Sequence, residues 1–142
     1  MAAEVDDRAR SAARWPCDSR AVREVTSVTV MASTEITNVA GIVRVHGAER
    51  PDHTALVQDE RRLSWSELRD RSAQMAQALS AAGVGEGDRV AFLDKNGIEH
   101  FEVFFGAAML NAVCVDVNWR LAAPEVQFIV DDADAKVLVV GP

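Results

Sequence analysis

Two carboxylates pose the first chemical question. Asp94, followed by Lys95, closes the apolar run RVAFL, and Asp116 lies near the end of the run VCVDV. If both runs are parallel strands, their carboxyl ends are where an open sheet holds its ligand. Neighbouring strands would then bring both carboxylates within reach of one magnesium ion, the geometry of a phospho-acceptor receiver domain. The competing reading is solvated loop charge, with Asp94 and Lys95 partly offsetting each other. Oxygen-rich cation sites need more ligands than this pair supplies, which favours the solvated reading.

The other reactive residues are less suggestive. Gly83, Gly85 and Gly87 stand beside an apolar run, as in a phosphate cradle, but a dinucleotide fingerprint places its glycines after a strand and before a helix. Here the order is helix, glycines, strand, so they read as a helix stop and a tight turn. Asp131, Asp132 and Asp134 read as a solvated helix end, because the glycine and bidentate glutamate of a calcium loop are missing. His46, His53 and His100 have no partner at metal-site or triad spacing. His100 reads as a packed or half-exposed ring beside Phe101, and Asp52-His53 as turn chemistry. Cys17 and Cys114 are far apart without metal-ligand spacing, and Cys114 reads as a small buried hydrophobe in a reducing cytosol. No serine sits in a G-x-S-x-G elbow. The run TSVTVMAST has hydroxyls but neither the glycine nor the lysine of a phosphate loop.

The elements that would position these residues follow from periodicity and punctuation. Asn38 caps a short helix carrying Val39, Ile42 and Val43, which Glu49-Arg50-Pro51-Asp52 ends. TALVQDERRLSW reads as a hairpin turning at Asp59-Glu60. Ser64-Trp65-Ser66-Glu67 is a capping box opening a helix whose buried stripe runs Trp65, Leu68, Ser72, Met75, Leu79, Ala82, with Gly83 as its left-handed stop. RVAFL is a buried strand. Asn96 is the expected cap of a second helix, apolar on most sides, that should lie between layers, with Gly106 permitting close approach and Asn111 ending it. VCVDV is a second strand, Pro124 opens a third helix with Val126, Ile129 and Val130 inward, and KVLVV is the last strand. Strand, helix, strand, helix, strand with short turns predicts an α/β fold of parallel units, preceded by a helix and a small hairpin.

The chain has 142 residues, 49% of them hydrophobic, and a formal net charge of −7. That is about one domain's worth, with enough apolar content for a core. The negative balance argues against a nucleic-acid binder, which would show a basic stripe, and disfavours acidic lipid. No apolar run approaches the ~18 residues of a bilayer span. In the first thirty residues, Arg8, Arg10, Arg14, Arg20 and Arg23 alternate with Glu4, Asp6, Asp7, Asp18 and Glu24. This stretch lacks the apolar middle of a secretory signal, and its acids count against a transit peptide. Residues 1–35 are expected to be a disordered leader, with Met31 an alternative start to Met1.

The succession of segments is recognisable. RPDHTALV, then RRLSWSELRDRSAQMAQALSAAGVGEGDRVAFLDKNGIEHFEVFFGAAMLNAVCVDVNWRLAAPEVQFIVDDADAKVLVV, resembles the N-terminal part of AMP-forming acyl-CoA synthetases, the fatty-acid–CoA ligases of the adenylate-forming superfamily. The likeness runs from about Ile36 onward. It implies a partial N-terminal lobe of that fold over residues 36–142. It also implies a two-step reaction, in which a carboxylate attacks the α-phosphate of ATP and coenzyme A thiol then displaces AMP. ATP, Mg2+ and coenzyme A are the cofactors of the complete family enzyme. The family's Ser/Thr/Gly-rich loop with its lysine, its Tyr-Gly-x-Thr-Glu segment, its ribose aspartate and its mobile-domain lysine all lie downstream of the matched region. No catalytic, cofactor-binding or metal residue is therefore carried over, and none of these cofactors is expected in the fragment itself. Two departures stand out: Asp116 where the family usually has proline before Asn118-Trp119-Arg120-Leu121, and Asp134 where it usually has glycine. Trp119 and Arg120 could touch substrate, although anchoring the strand-to-helix turn suffices for them.

The resemblance implies an N-terminal fragment of a cytoplasmic fatty-acid–CoA ligase, inert alone, whose partner would be a polypeptide carrying the missing downstream domain. The alternatives are a non-catalytic interaction module pairing with a separate synthetase, or a receiver-like domain using Asp94 and Asp116.

Overall fold

The computed structural model describes residues 35–141, so the leader expectation lies, but for Glu35, outside the described residues. In chain order the elements are α1 (Val39–Glu49), β1 (Thr54–Gln58), β2 (Arg61–Ser64), α2 (Trp65–Ala81), β3 (Arg89–Leu93), α3 (Ile98–Met109), β4 (Val113–Val117), α4 (Ala123–Asp132) and β5 (Ala135–Val140). β1 and β2 pair antiparallel as the expected hairpin, with Asp59 taking the left-handed conformation at the turn. The other three strands form a parallel sheet in the order β4-β3-β5, with Phe92 level with Asp116 on one side and Val139 on the other.

Alternation along the strands sorts side chains between two faces. On one face Val90 and Phe92 of β3, with Cys114, Val137 and Val139 beside them, pack against Leu79 of α2 and Val103 and Ala107 of α3. A second core joins α1, the hairpin and the outer side of α3 through Val43, Leu63, Leu68, Ile98 and Phe105. Each fully buried aliphatic among these stabilises the fold by about 1.5–3 kcal/mol. α2 and α3 meet closely at Gly106, where an added β-carbon would lie 2.9 Å from Met75 Cγ. Across the other sheet face lies α4, whose Val126, Ile129 and Val130 turn inward as expected but are only half-buried.

The caps follow the sequence except at one helix. The Ser64–Glu67 capping box is reciprocal, Asn38 caps α1, and Gly83 and Asn111 are left-handed. α3, however, begins after Gly97 rather than Asn96, and its N-cap residue supplies no side-chain acceptor. The helix lies between layers, but its faces are mixed: Phe101 is 37% exposed while Glu102 is 8% exposed.

Candidate functional site

The carboxyl ends of β3 and β5 open into a cavity of about 410 Å³ whose wall is completed by the hairpin and by α2 and α3. Its polar lining is chiefly acidic: Asp94, Glu99 and Glu102 face one guanidinium, that of Arg61. Arg61 Nη2 bonds Glu99 Oε1 at 2.6 Å, and this bond holds the Glu99 carboxyl below the usual range. Glu102 is paired with Arg71 Nε at 2.9 Å, yet burial outweighs that charge and pushes its carboxyl up. Three carboxylates against one lining cation disfavour a triphosphate here.

Phosphate in α/β folds is commonly gripped by helix N-termini, whose first N–H groups lack partners. In this chain three of the four described helices have a first-turn N–H taken by a side-chain acceptor, and at the fourth, α4, a carboxylate folds back on the cap residue. Asn38 Oδ1 accepts from Gly41 N at 2.8 Å for α1. Ser64 Oγ accepts from Glu67 N at 3.2 Å, and Glu67 Oε2 from Ser64 N at 2.8 Å, for α2. For α3 the acceptor is Gln58 Oε1, which takes Ile98 N at 3.0 Å from across the hairpin. For α4 the cap residue Ala122 has no side-chain acceptor to offer, and Glu125 Oε2 takes the Ala122 N–H at 2.8 Å. Two of these acceptors are carboxylates, set where an anion would otherwise rest.

The glycine turn is likewise closed. Gly83 and Gly87 are left-handed, and Asp88 Oδ2 accepts from Gly85 N at 2.7 Å while Lys136 Nζ bonds the same oxygen at 2.8 Å. Lys136 and Gly85 together hold the Asp88 carboxyl below its ordinary range. The expectation of a turn rather than a phosphate cradle is met, and the turn sits at the opposite end of β3 from the cavity.

Asp94 and Asp116 each have other partners. Asp94 Oδ1 accepts from Lys95 N at 2.6 Å, whereas Asp116 Oδ1 lies 2.8 Å from His100 Nε2. The expected offset between Asp94 and the Lys95 ammonium gives way to a different contact: Lys95 Nζ stands 4.9 Å from the Trp119 ring centroid, and Arg120 Cζ 4.5 Å from it. The turn there is held by Asn118, whose carbonyl and side-chain oxygens accept from Leu121 N and Arg120 N. Of the acidic trio at the end of α4, Asp134 pairs with Arg89, while Asp131 and Asp132 are exposed. His46 contacts Arg50 and the edge of Trp65, and His53 serves through its backbone.

Sequence reasoning missed one grouping. His100 Nε2, Cys114 Sγ and an Asp116 oxygen all lie within 4.8 Å of one another, the one such set of three donors among the described residues. The i, i+2 spacing of Cys114 and Asp116 on a strand, which places both on one face, was the available signal. Burial first, and then the Asp116 charge, push the Cys114 thiol up to about 12, so it is no free nucleophile at neutral pH.

This architecture has known counterparts. A model of the AMP-binding enzyme family matches residues 43–142. The chain belongs to that family. This AMP-binding family member is 41% identical over 93 residues to a fatty acid–[acyl-carrier-protein] ligase of Streptomyces coeruleorubidus, across 66% of this chain and 18% of that protein. It is 38% identical over 106 residues to a long-chain-fatty-acid–CoA ligase of Mycobacterium tuberculosis, across 73% of this chain and 21% of that one. The solved N-terminal domain of a Mycobacterium tuberculosis enzyme, FACL13, superposes with a TM-score of 0.71 at 37% identity, over 75% of this chain and 27% of that one. The resemblance to the N-terminal part of an acyl-CoA synthetase, and the α/β fold it implied, are both borne out. The chain spans about a fifth of the length of the curated relatives it matches. Among the described residues no helix is long and apolar enough to cross a membrane.

Proposed function

We propose that residues 36–142 are the scaffold lobe of a carboxylic-acid-activating ligase, with fatty acids as the substrate class. In that reaction a carboxylate oxygen attacks the α-phosphorus of ATP, releasing pyrophosphate and leaving acyl-adenylate; the thiol of coenzyme A or of a carrier protein then displaces AMP. ATP and Mg2+ are used by groups outside this lobe, and the ATP and thiol co-substrates put the work in the cytoplasm. The observation carrying this reading is the occupation of the α1, α2 and α3 N-termini by Asn38, Ser64 with Glu67, and Gln58, with the Glu125 carboxylate set at the start of α4. Fold and family suggest the chemistry of the whole enzyme, and the occupied helix ends support reading this part of it as scaffold rather than nucleotide grip.

The exposed apolar groups fit the same role. Val113 is 52% exposed, Val140 59% and Phe128 68%, on the sheet edges and on α4. Such surface is what a supporting lobe presents to further protein. The test is ATP–pyrophosphate exchange by the purified 142-residue chain with medium- and long-chain fatty acids. No exchange is expected alone, and exchange is expected when a polypeptide bearing the phosphate loop is supplied. Exchange by the chain alone would overturn the scaffold reading.

A further inference from the structure

The grouping on the α3-facing side of β4 has no part in that role. We propose that His100 Nε2, Cys114 Sγ and Asp116 Oδ1 form a binding site for a borderline transition-metal cation, zinc foremost. β4 supplies two donors, because residues two apart on a strand share a face. α3 lays the third over them: the His100 ring packs against Phe92, the residue level with Asp116, with centroids 5.0 Å apart and planes tilted by 44°, which holds the imidazole above the strand. Cys114 Sγ is 3.7 Å from Asp116 Oδ1 and His100 Nε2 is 2.8 Å from it.

The donor types select the metal. One sulfur, one imidazole nitrogen and one carboxylate oxygen suit zinc, cobalt or nickel and not magnesium, which prefers oxygen throughout. Zinc bonds of roughly 2.0–2.3 Å set neighbouring donors about 3.3–3.8 Å apart in a tetrahedron. The thiol–carboxylate pair is already there, and the imidazole–carboxylate pair must open by about 0.5 Å. The Asp116 side chain is 63% exposed, so it can move, and it leaves a path for the ion and a fourth position for water.

The imidazole presents one nitrogen to the site. His100 Nδ1 is buried without a hydrogen-bond partner, so the ring's polar bonding is concentrated at the nitrogen facing Cys114 and Asp116. Loading would release the thiol proton to solvent and leave a thiolate, a carboxylate and a neutral imidazole around M2+, a set of zero net charge suited to a half-buried place.

The test uses the reduced 142-residue chain and cobalt(II) as probe, followed by zinc. One cobalt per chain is expected, with a thiolate-to-cobalt charge-transfer band and ligand-field bands of four-coordination, all erased by one equivalent of zinc. C114S should lose the charge-transfer band and C17S keep it. With Cys114 intact, H100Q and D116N should each weaken zinc binding about tenfold or more, the scale seen even for outer-shell partners of a metal. These last two keep the test decisive if C114S fails to fold. Absence of the charge-transfer band at saturating cobalt, its survival in C114S, or unchanged zinc affinity in both H100Q and D116N would overturn the proposal.

Discussion

Gln58 Oε1 accepts the Ile98 N–H at 3.0 Å, so a hairpin residue closes the N-terminus of a helix that begins 40 positions later. The contact is tight, for a β-carbon at Gly97 would fall 2.8 Å from Gln58 Nε2. It ties the small antiparallel sheet to α3 and fills a helix end whose own cap residue, Gly97, offers nothing.

Removing that acceptor should behave as loss of an N-cap. Q58A is expected to destabilise the chain by about 1 kcal/mol, while Q58E, which keeps an acceptor and adds a charge favourable to the helix dipole, should hold or exceed wild-type stability. Urea unfolding of the three chains measures it. Equal stability of Q58A and wild type would show that the contact contributes nothing.

Close helix approach gives a second expectation. The β-carbon of G106A would meet Met75 Cγ at 2.9 Å, Met75 Cβ at 3.0 Å and Ala76 N at 3.1 Å. Because the last of these is backbone, Met75 cannot relieve the crowding alone, and a loss of about 1–3 kcal/mol is expected. M75A should recover part of that loss in a double-mutant cycle and none of it if the two residues are independent.

Much of this framework was legible in the sequence, and the exceptions share a cause. The Ser64–Glu67 box, the Gly83 and Asn111 stops and the three apolar strands were readable because each is decided within a few neighbouring residues. The α3 cap was not, since Gln58 reaches it through tertiary structure and Asn96 is the better cap on local grounds. The burial of Glu102 was not legible either, because its partner Arg71 arrives from α2. The His100–Asp116 pair and the Lys95–Trp119 contact depend on how α3 and the β4–α4 turn lie over the sheet, which periodicity within one segment does not contain.

Glu102 carries a pH expectation. Burial raises its carboxyl above the ordinary glutamate value, despite Arg71. Between the unfolded value and the raised folded one, the folded chain binds more protons than the unfolded chain, so this residue's contribution to stability falls as pH rises. E102Q does not titrate and escapes the loss. The stability difference, E102Q minus wild type, should therefore grow from about pH 4 to about pH 7. A difference independent of pH would mean that the Arg71 charge cancels the burial effect.

Capping gives a further expectation in α2. S64A removes the hydroxyl that accepts from Glu67 N at 3.2 Å and should cost about 1 kcal/mol. S64D, which retains an acceptor at the N-cap, should restore most of it. Unfolding midpoints at constant slope would report both, and an S64A midpoint equal to wild type would count against the box as a stabilising element.

The central proposal is that this lobe supports an acyl-activating enzyme without gripping nucleotide itself, on the ground that the α1, α2 and α3 N-termini and the glycine turn are occupied by its own side chains. Calorimetric titration of the purified 142-residue chain with Mg–ATP tests it most directly. The account predicts no saturable heat at millimolar nucleotide; a one-to-one isotherm with micromolar affinity would contradict it.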